Sequence, residues 1–267
     1  MKDRARRYDA LFLLCVKGSV EMEREINILV ACEESQRVCQ AFRDKGFSAF
    51  SCDILPSGGG FPQWHIQGDV VPLLNGNCEF ETEDGTRHIL TGKWDAIIAF
   101  PPCTHLATSG GLYFEQKRAD GRQRQAIEFF GMILNADCNN ILIENPVGIM
   151  GGKYIKKYFP DLCEQYGLSV KPSQIIQPWM FGDDYTKTTC VWIKGFPKLI
   201  PYVTEKPEDC PSYANIVLHD ENGKAIGFHT DLCKRLRSKT FLGIANAISD
   251  QYGEYLLNIK NQEVILC

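Results

Sequence analysis

The chain has no Cys-x-x-Cys pair among its 12 cysteines, so the usual ligand spacing of a structural zinc site is missing. It has no apolar run near the roughly 20 residues that a membrane helix needs. It has no excess of positive charge: 29 Lys and Arg against 33 Asp and Glu give a formal net charge of −4. Bulk charge therefore predicts no strong attraction to a polyanion, and any nucleic-acid binding must rest on local basic clusters. Apolar residues are not scarce. A chain that is 44% hydrophobic and 23% charged has ordinary globular composition, which argues against wholesale disorder. The even number of cysteines invites disulfides, but several fall in apolar runs such as Ile28-Leu29-Val30-Ala31-Cys32, where a thiol behaves as a small hydrophobe. The expectation is a reducing, cytoplasmic setting with one functional cysteine, no metal and no membrane association.

A length of 267 residues suits one or two domains. Residues 1–25 read as a non-native or flexible extension. Lys2, Arg4, Arg6 and Arg7 ahead of the apolar stretch 10–16 loosely mimic a secretory signal, but no Ala-x-Ala site follows. Met22, just ahead of the first clear strand, reads as the natural start, with 1–21 dispensable. From residue 27 the pattern alternates strand and helix. Residues 26–32 are a continuous apolar run of strand length, the mark of a strand buried on both faces. Ser35 is a candidate cap for the helix that follows, whose apolar face is Val38, Cys39, Ala41 and Phe42, and Gly46 closes it. Further strands are expected at 47–52, before Gly68, and at 94–100, 140–143, 174–177 and 190–193, with helices over 122–135, 154–166 and 240–257. Repeated strand–helix units imply an α/β fold with a doubly wound, mostly parallel sheet. Residues 196–236, rich in proline and polar turns, break the rhythm and read as a small irregular insert. The expected division is a catalytic domain over 26–195, the insert, and a C-terminal helix within 237–267 returning to the catalytic domain.

In an open α/β sheet, ligands bind outside the carboxyl ends of the strands. The predicted strand ends carry Glu33-Glu34, Asp53, Asp69, Pro101-Pro102-Cys103 and Glu144-Asn145-Pro146. Acids after strands two and three suit the ribose hydroxyls and adenine amine of an adenosine-bearing cofactor, although acids are common in loops. The two prolines fix φ and hold Cys103 in a set orientation at the sheet edge. Basic groups or a helix dipole there favour thiolate; the alternative is a structural loop cysteine. Glu144 ends an apolar strand, where partial burial raises a carboxyl pKa toward neutrality; alone, such an acid is as well explained by structural hydrogen bonding.

Taken together, these motifs are far more specific. The sequence resembles the cytosine-C5 DNA methyltransferase family over about residues 27–258. Pro101-Pro102-Cys103 looks like its nucleophile motif and Glu144-Asn145-Pro146 like its Glu-Asn motif. Asp53-Ile54-Leu55-Pro56, Gly68-Asp69-Val70 and Ala245-Asn246-Ala247-Ile248 resemble its cofactor segments, in family order. The resemblance implies a Rossmann-like methyltransferase sheet and S-adenosyl-L-methionine as methyl donor. It implies Cys103 as nucleophile at C6 of cytosine and Glu144 as the acid at N3. Around the cofactor it implies Ala31, Cys32, Glu33, Glu34, Asp53, Ile54, Asp69, Val70, Pro101, Asn246 and Ala247. Around the substrate it implies Pro102, Thr104, His105, Asn145, Lys187 and Thr188. Two basic clusters, with Arg122 and Arg124 in one and Arg235 and Arg237 in the other, are candidate phosphate contacts. The partner implied is DNA, either a duplex with a short site or a single strand.

The chain also departs from the family. The stretch Val30-Ala31-Cys32-Glu33-Glu34-Ser35 has no glycine where the family's first motif has several, although glycine permits close backbone approach to a cofactor. Glu33 or Glu34 is then a candidate partner for the donor's ammonium group, or simply part of a helix start. The family's paired arginines before its later strand are absent around Thr186, Thr188 and Cys190, leaving Lys187 as the nearest cation, and a lysine is not a guanidinium fork. His105 is a candidate contact for phosphate or base, or an ordinary loop histidine. With only about 196–235 available for recognition, extended reading of a long site is not expected. Two other functions compete. One is C5 modification of a free pyrimidine nucleotide, since thymidylate synthases also use a Pro-Pro-Cys nucleophile. The other is a catalytically silent DNA-binding protein that keeps the fold.

Overall fold

The structure, a computed structural model, describes residues 25–168 and 171–266; the expected N-terminal extension, with Met22, lies outside the described residues. Five apolar runs form the centre of a sheet: β1 (Asn27–Ala31), β2 (Ser48–Asp53), β3 (His65–Gln67), β6 (Ala96–Ala99) and β7 (Ile141–Pro146). All five run parallel. β9 (Thr189–Lys194) joins antiparallel to β7, and β8 (Gln174–Ile176) antiparallel to β9. The order β3-β2-β1-β6-β7-β9-β8 makes this a doubly wound, mostly parallel, Rossmann-like sheet. Strands one to three step outward and the chain then returns to the other side of β1. The crevice for ligands therefore opens at the carboxyl ends of β1 and β6. Because β9 is antiparallel, its amino end lies at this same edge.

Alternation along the strands divides the core into two layers. Ile28, Val30, Ile98 and Leu142 face α1 (Arg37–Arg43) and α7 (Leu242–Leu266). Leu29, Ile97, Ile141 and Ile143 face α3 (Arg122–Leu134) and α5 (Pro160–Tyr166). Both faces are covered, which is why the central strands read as unbroken apolar runs rather than alternating ones. No described helix is long and apolar enough to cross a membrane.

Four local expectations are corrected. Ser35 does not cap α1. The Glu33 carboxylate does, accepting from the backbone N–H of Val38 (2.7 Å) and Cys39 (3.1 Å). The strand ending at Glu144 continues to Pro146, because antiparallel β9 pairs with its last three residues. The helix expected over 154–166 is two, α4 (Lys153–Tyr158) and α5, broken where Phe159 adopts a non-helical conformation ahead of Pro160, as proline demands of its predecessor. A hairpin, β4 (Cys78–Glu81) with β5 (Arg87–Leu90), was not foreseen; half its residues are exposed, so its apolar pattern is weak. The irregular region ends in α6 (Asp231–Ser238), two residues past the expected end of the insert.

Candidate active site

The chain leaves β6 through Phe100, whose N–H still pairs with Ala31 (3.0 Å). Pro101 and Pro102 follow and cannot donate to a ladder, so pairing stops there. Beyond them the loop folds on itself: the Cys103 carbonyl accepts from Leu106 and Ala107, both at 2.9 Å. Side chains from three other elements hold its remaining carbonyls. Asn145 donates to Pro101 O (2.9 Å), Lys117 of α2 (Phe114–Ala119) to Thr104 O (2.7 Å), and Gln123 to His105 O (3.2 Å). A bridge between Ala107 and Gly148 joins this loop to the one after β7. Gly148 is required there, since any Cβ would collide with Leu106 O. The loop that carries Cys103 is therefore pinned to the strand that carries Glu144.

Glu144 lies on the same sheet face as Leu142, directly across from Val191. Thr189, two residues before Val191, shares that face. Burial pushes the Glu144 carboxyl above its ordinary range, while the Lys187 ammonium and a hydrogen bond from Thr189 pull the other way. Cys103 sits in the same field. Burial and then the Glu144 charge raise its thiol pKa, and Lys187 lowers it. This corrects the expected thiolate: burial above all holds Cys103 as a thiol at rest. Lys187 is placed by its backbone N–H on Gln177 Oε1 (2.9 Å) and by its ammonium on Arg237 O (3.3 Å). Asn145, on the sheet face opposite to Glu144, is 2% exposed and its side-chain oxygen has no partner among the described residues.

The other half of the crevice lies at the tips of β1 and β2. Asp53 and Asp69 both press on the Cys32 thiol, which burial already pushes well above its ordinary range; the three residues share one corner. Asp53 keeps one oxygen on Leu55 N–H (2.9 Å) and Asp69 one on Val71 N–H (3.0 Å). Ile54, 76% exposed, gives an apolar surface beside them. The β1–α1 loop has no glycine, yet Cys32 (φ 58°) and Gln36 (φ 55°) adopt the left-handed conformation that glycine accommodates freely. The missing glycines stand on the facing loop instead. A Cβ on Gly59 would come within 2.6 Å of Gln36 Cβ, and one on Gly58 would strike the Glu34 carboxylate. Close approach is kept, with the small residues moved to the partner loop. These residues fit an adenosine-bearing cofactor at its ribose and base ends.

Several predicted residues are placed differently from their expected roles. The Glu33 carboxylate is 3% exposed and turned into α1. Glu34 is held by Arg235, whose Nε lies 2.6 Å from Oε1. Arg237 donates to the Tyr213 carbonyl (2.7 Å) and to that of Ile216, and Tyr213 and Phe228 lie within 5.3 Å of its guanidinium. Arg122 is paired with Asp120, and Arg124 with Asp161 and Glu128. Each of these four arginines has a partner within the chain. Ala31, Val70 and Ala247 are core residues, and Ala247 is fully buried on α7, while Asn246 beside it is exposed. Pro101 is buried, Pro102, Thr104 and Thr188 are exposed, and His105 is half-buried with Nδ1 unpartnered; burial and the Lys117 and Arg122 charges lower its pKa, which keeps it neutral. Gln123 was missed as a site residue; Lys117, 7% exposed, belongs by sequence to the basic cluster of Arg122 and Arg124 but is spent on a carbonyl rather than a phosphate, and Thr189 falls within the stretch around Lys187. A cavity of about 280 Å³ lined by Ile26, Trp94, Asn140 and Leu256 lies at the opposite edge of the sheet and shares no residue with the site.

A doubly wound α/β protein with a cysteine and a buried carboxyl on neighbouring strand tips is the class that this fold and site define. No protein-family model matches the chain, and no curated protein matches it. Among solved structures it is similar to the S. pombe Dnmt2 methyltransferase at 13% identity and TM-score 0.36, covering 66% of this chain and 51% of that one. It is similar to the Entamoeba histolytica methyltransferase EhMeth at 12% identity and TM-score 0.40, covering 70% and 58%. A Spodoptera frugiperda DNMT2 variant matches at 15% identity and TM-score 0.33, covering 73% and 60%. The chain thus spans between half and two thirds of the length of these proteins. At such values the roles of its residues rest on its own geometry.

Proposed function

We propose that the protein transfers a methyl group from S-adenosyl-L-methionine to C5 of cytosine in DNA, through a covalent adduct between Cys103 and C6. The observation that carries this reading is the convergence of Cys103, Glu144 and Lys187 in one electrostatic field at adjoining strand tips. Asn145 ties the two motifs together physically.

C5 of cytosine is unreactive until C6 is attacked, so covalent catalysis splits a hard step into easier ones. The Cys103 thiol gives up its proton to solvent and the thiolate adds to C6, while Glu144, in the acid form that its burial favours, delivers a proton to N3. The electron pair of the C5–C6 bond is then available at C5. The sulfonium donor, when bound, supplies an electrophilic methyl group to that carbon. Loss of the C5 proton to solvent re-forms the double bond and expels Cys103, and N3 returns its proton to Glu144. Asp53 and Asp69 would hold the adenosine end of the donor, and Ile54 would offer its base an apolar surface. Lys187 offsets the negative charge that the thiolate and carboxylate bring together. A duplex substrate must have its cytosine turned out of the stack, at a cost of a few kcal/mol.

The test is incubation with an oligonucleotide carrying 5-fluorocytosine, whose C5 fluorine cannot leave as a proton does, plus the donor. A covalent protein–DNA adduct is expected, absent in Cys103→Ala. No adduct with wild-type protein would overturn the reading. The engagement of all four candidate phosphate-binding arginines in internal contacts favours one alternative, a free pyrimidine nucleotide as substrate. Trapping by the fluorinated nucleotide and not by DNA would establish that instead.

A further inference from the structure

The basic residues near the site are of two kinds. The four arginines above have internal partners. Lys153, Lys156 and Lys157 on α4 are exposed and form no ion pair among the described residues. α4 is bound to α2: the Phe114 and Tyr154 rings meet at 5.5 Å, Arg118 donates to the Tyr154 hydroxyl, and its guanidinium lies 4.2 Å from the Tyr158 ring centre. Through Lys117, α2 is fastened to Thr104, the residue after the nucleophile. The turn that leads into α2 leaves Leu112 96% exposed, the most exposed large hydrophobic among the described residues, and Tyr113 61% exposed. Asp120 and Asp161 are matched by Arg122 and Arg124; Glu115 on α2 and Glu164, which shares a hollow with Lys156, are the remaining acids, so the three lysines leave a net positive charge here.

Unpaired ammonium groups next to bare apolar and aromatic tips suit one kind of partner. Phosphates recruit the lysines through counterion release. Flat base faces cover a tyrosine and a leucine that water otherwise surrounds. We propose that the α2–α4 face seats a nucleic-acid strand, with its phosphates on Lys153, Lys156 and Lys157 and its bases against Leu112 and Tyr113, and so delivers one cytosine to Cys103. The proposal rests on the nucleic-acid reading above and deepens it: the substrate is a polynucleotide rather than a free nucleotide.

The experiment measures fluorescence anisotropy of labelled single-stranded and duplex oligonucleotides on the full chain, across a salt series and without methyl donor. The triple variant Lys153→Glu, Lys156→Glu, Lys157→Glu is expected to bind about tenfold or more weakly, with the log–log salt slope reduced by about 3. Leu112→Ala with Tyr113→Ala is expected to weaken single-strand binding roughly three- to tenfold with the slope unchanged. Lys171→Glu, an exposed lysine elsewhere, should behave as wild type. All these positions are on the surface, and a thermal melt checks that each variant folds. Wild-type affinity in the triple variant, with Cys103 still trapped by fluorinated DNA, overturns the surface and leaves the proposed function standing. Trapping by the nucleotide alone overturns both. Displacement of the oligonucleotide by polyglutamate as readily as by unlabelled DNA overturns the surface in favour of an acidic protein partner.

Discussion

Cys103 lies between two charges of opposite sign, and its reactivity follows their balance. Glu144→Gln removes the negative neighbour and should lower the thiol pKa. Alkylation of Cys103 by iodoacetamide at neutral pH, followed by peptide mass analysis, should run roughly two- to tenfold faster than in wild type. Methyl transfer should nevertheless fall by about 10²-fold or more, because the amide cannot deliver a proton. Stability should move the other way from activity. Burial raises the folded-state pKa of Glu144, so its contribution is full below the unfolded value and lost as pH rises through the folded one. Glu144→Gln should therefore melt no lower than wild type at mildly alkaline pH. Lys187→Met is the converse: the thiol pKa rises further, and the alkylation profile shifts to higher pH. At this scale the sequence was legible where a residue ends an apolar run. It was silent on Gln123 and on the burial of Lys117 against a carbonyl, since both placements come from elements distant along the chain.

The elements act through their ends. α1 starts on the Glu33 carboxylate, a side-chain cap of the kind that typically contributes about 1 kcal/mol. Burial lifts the Glu33 pKa to about 7 against the pull of two backbone N–H groups. Since that folded value lies above the unfolded one, thermal stability should decline as pH rises from about 5 toward 7. Glu33→Gln should flatten this decline, and Glu33→Ala should lower stability by about 1–2 kcal/mol across the range, both read by melts in a pH series. The nucleophile loop depends on Asn145 in the same manner. Asn145→Ala leaves Pro101 O without its buried donor, at a cost of about 1–3 kcal/mol, and should reduce the rate of adduct formation while leaving oligonucleotide affinity unchanged. The apolar runs announced the strands because both faces of the sheet are covered. The direction of β9 was not announced, since pairing partners are settled in three dimensions; the break between α4 and α5 was legible, since Pro160 disfavours a helical conformation at Phe159 through local sterics alone.

Across the whole molecule, α6 joins the two halves of the crevice. Arg235 holds Glu34 at the β1 tip, and the Arg237 carbonyl receives Lys187 from the β9 end. The irregular region is thereby docked on the catalytic edge. Arg235→Ala and Glu34→Gln, measured singly and together by denaturant unfolding, should be non-additive by about 0.5–3 kcal/mol, as expected for two members of one contact. The parallel sheet, the placing of Cys103 and Glu144 at its carboxyl edge and the corner formed by Asp53 and Asp69 were all determined by sequence alone, because apolar runs of strand length punctuated by proline, glycine and acids dictate where strands end. Which arginines remain free, which loop supplies the glycines and what charge the cysteine feels were decided only by the tertiary structure. Those properties depend on distances between side chains that lie far apart in the sequence, such as Glu34 and Arg235, and no local pattern encodes them.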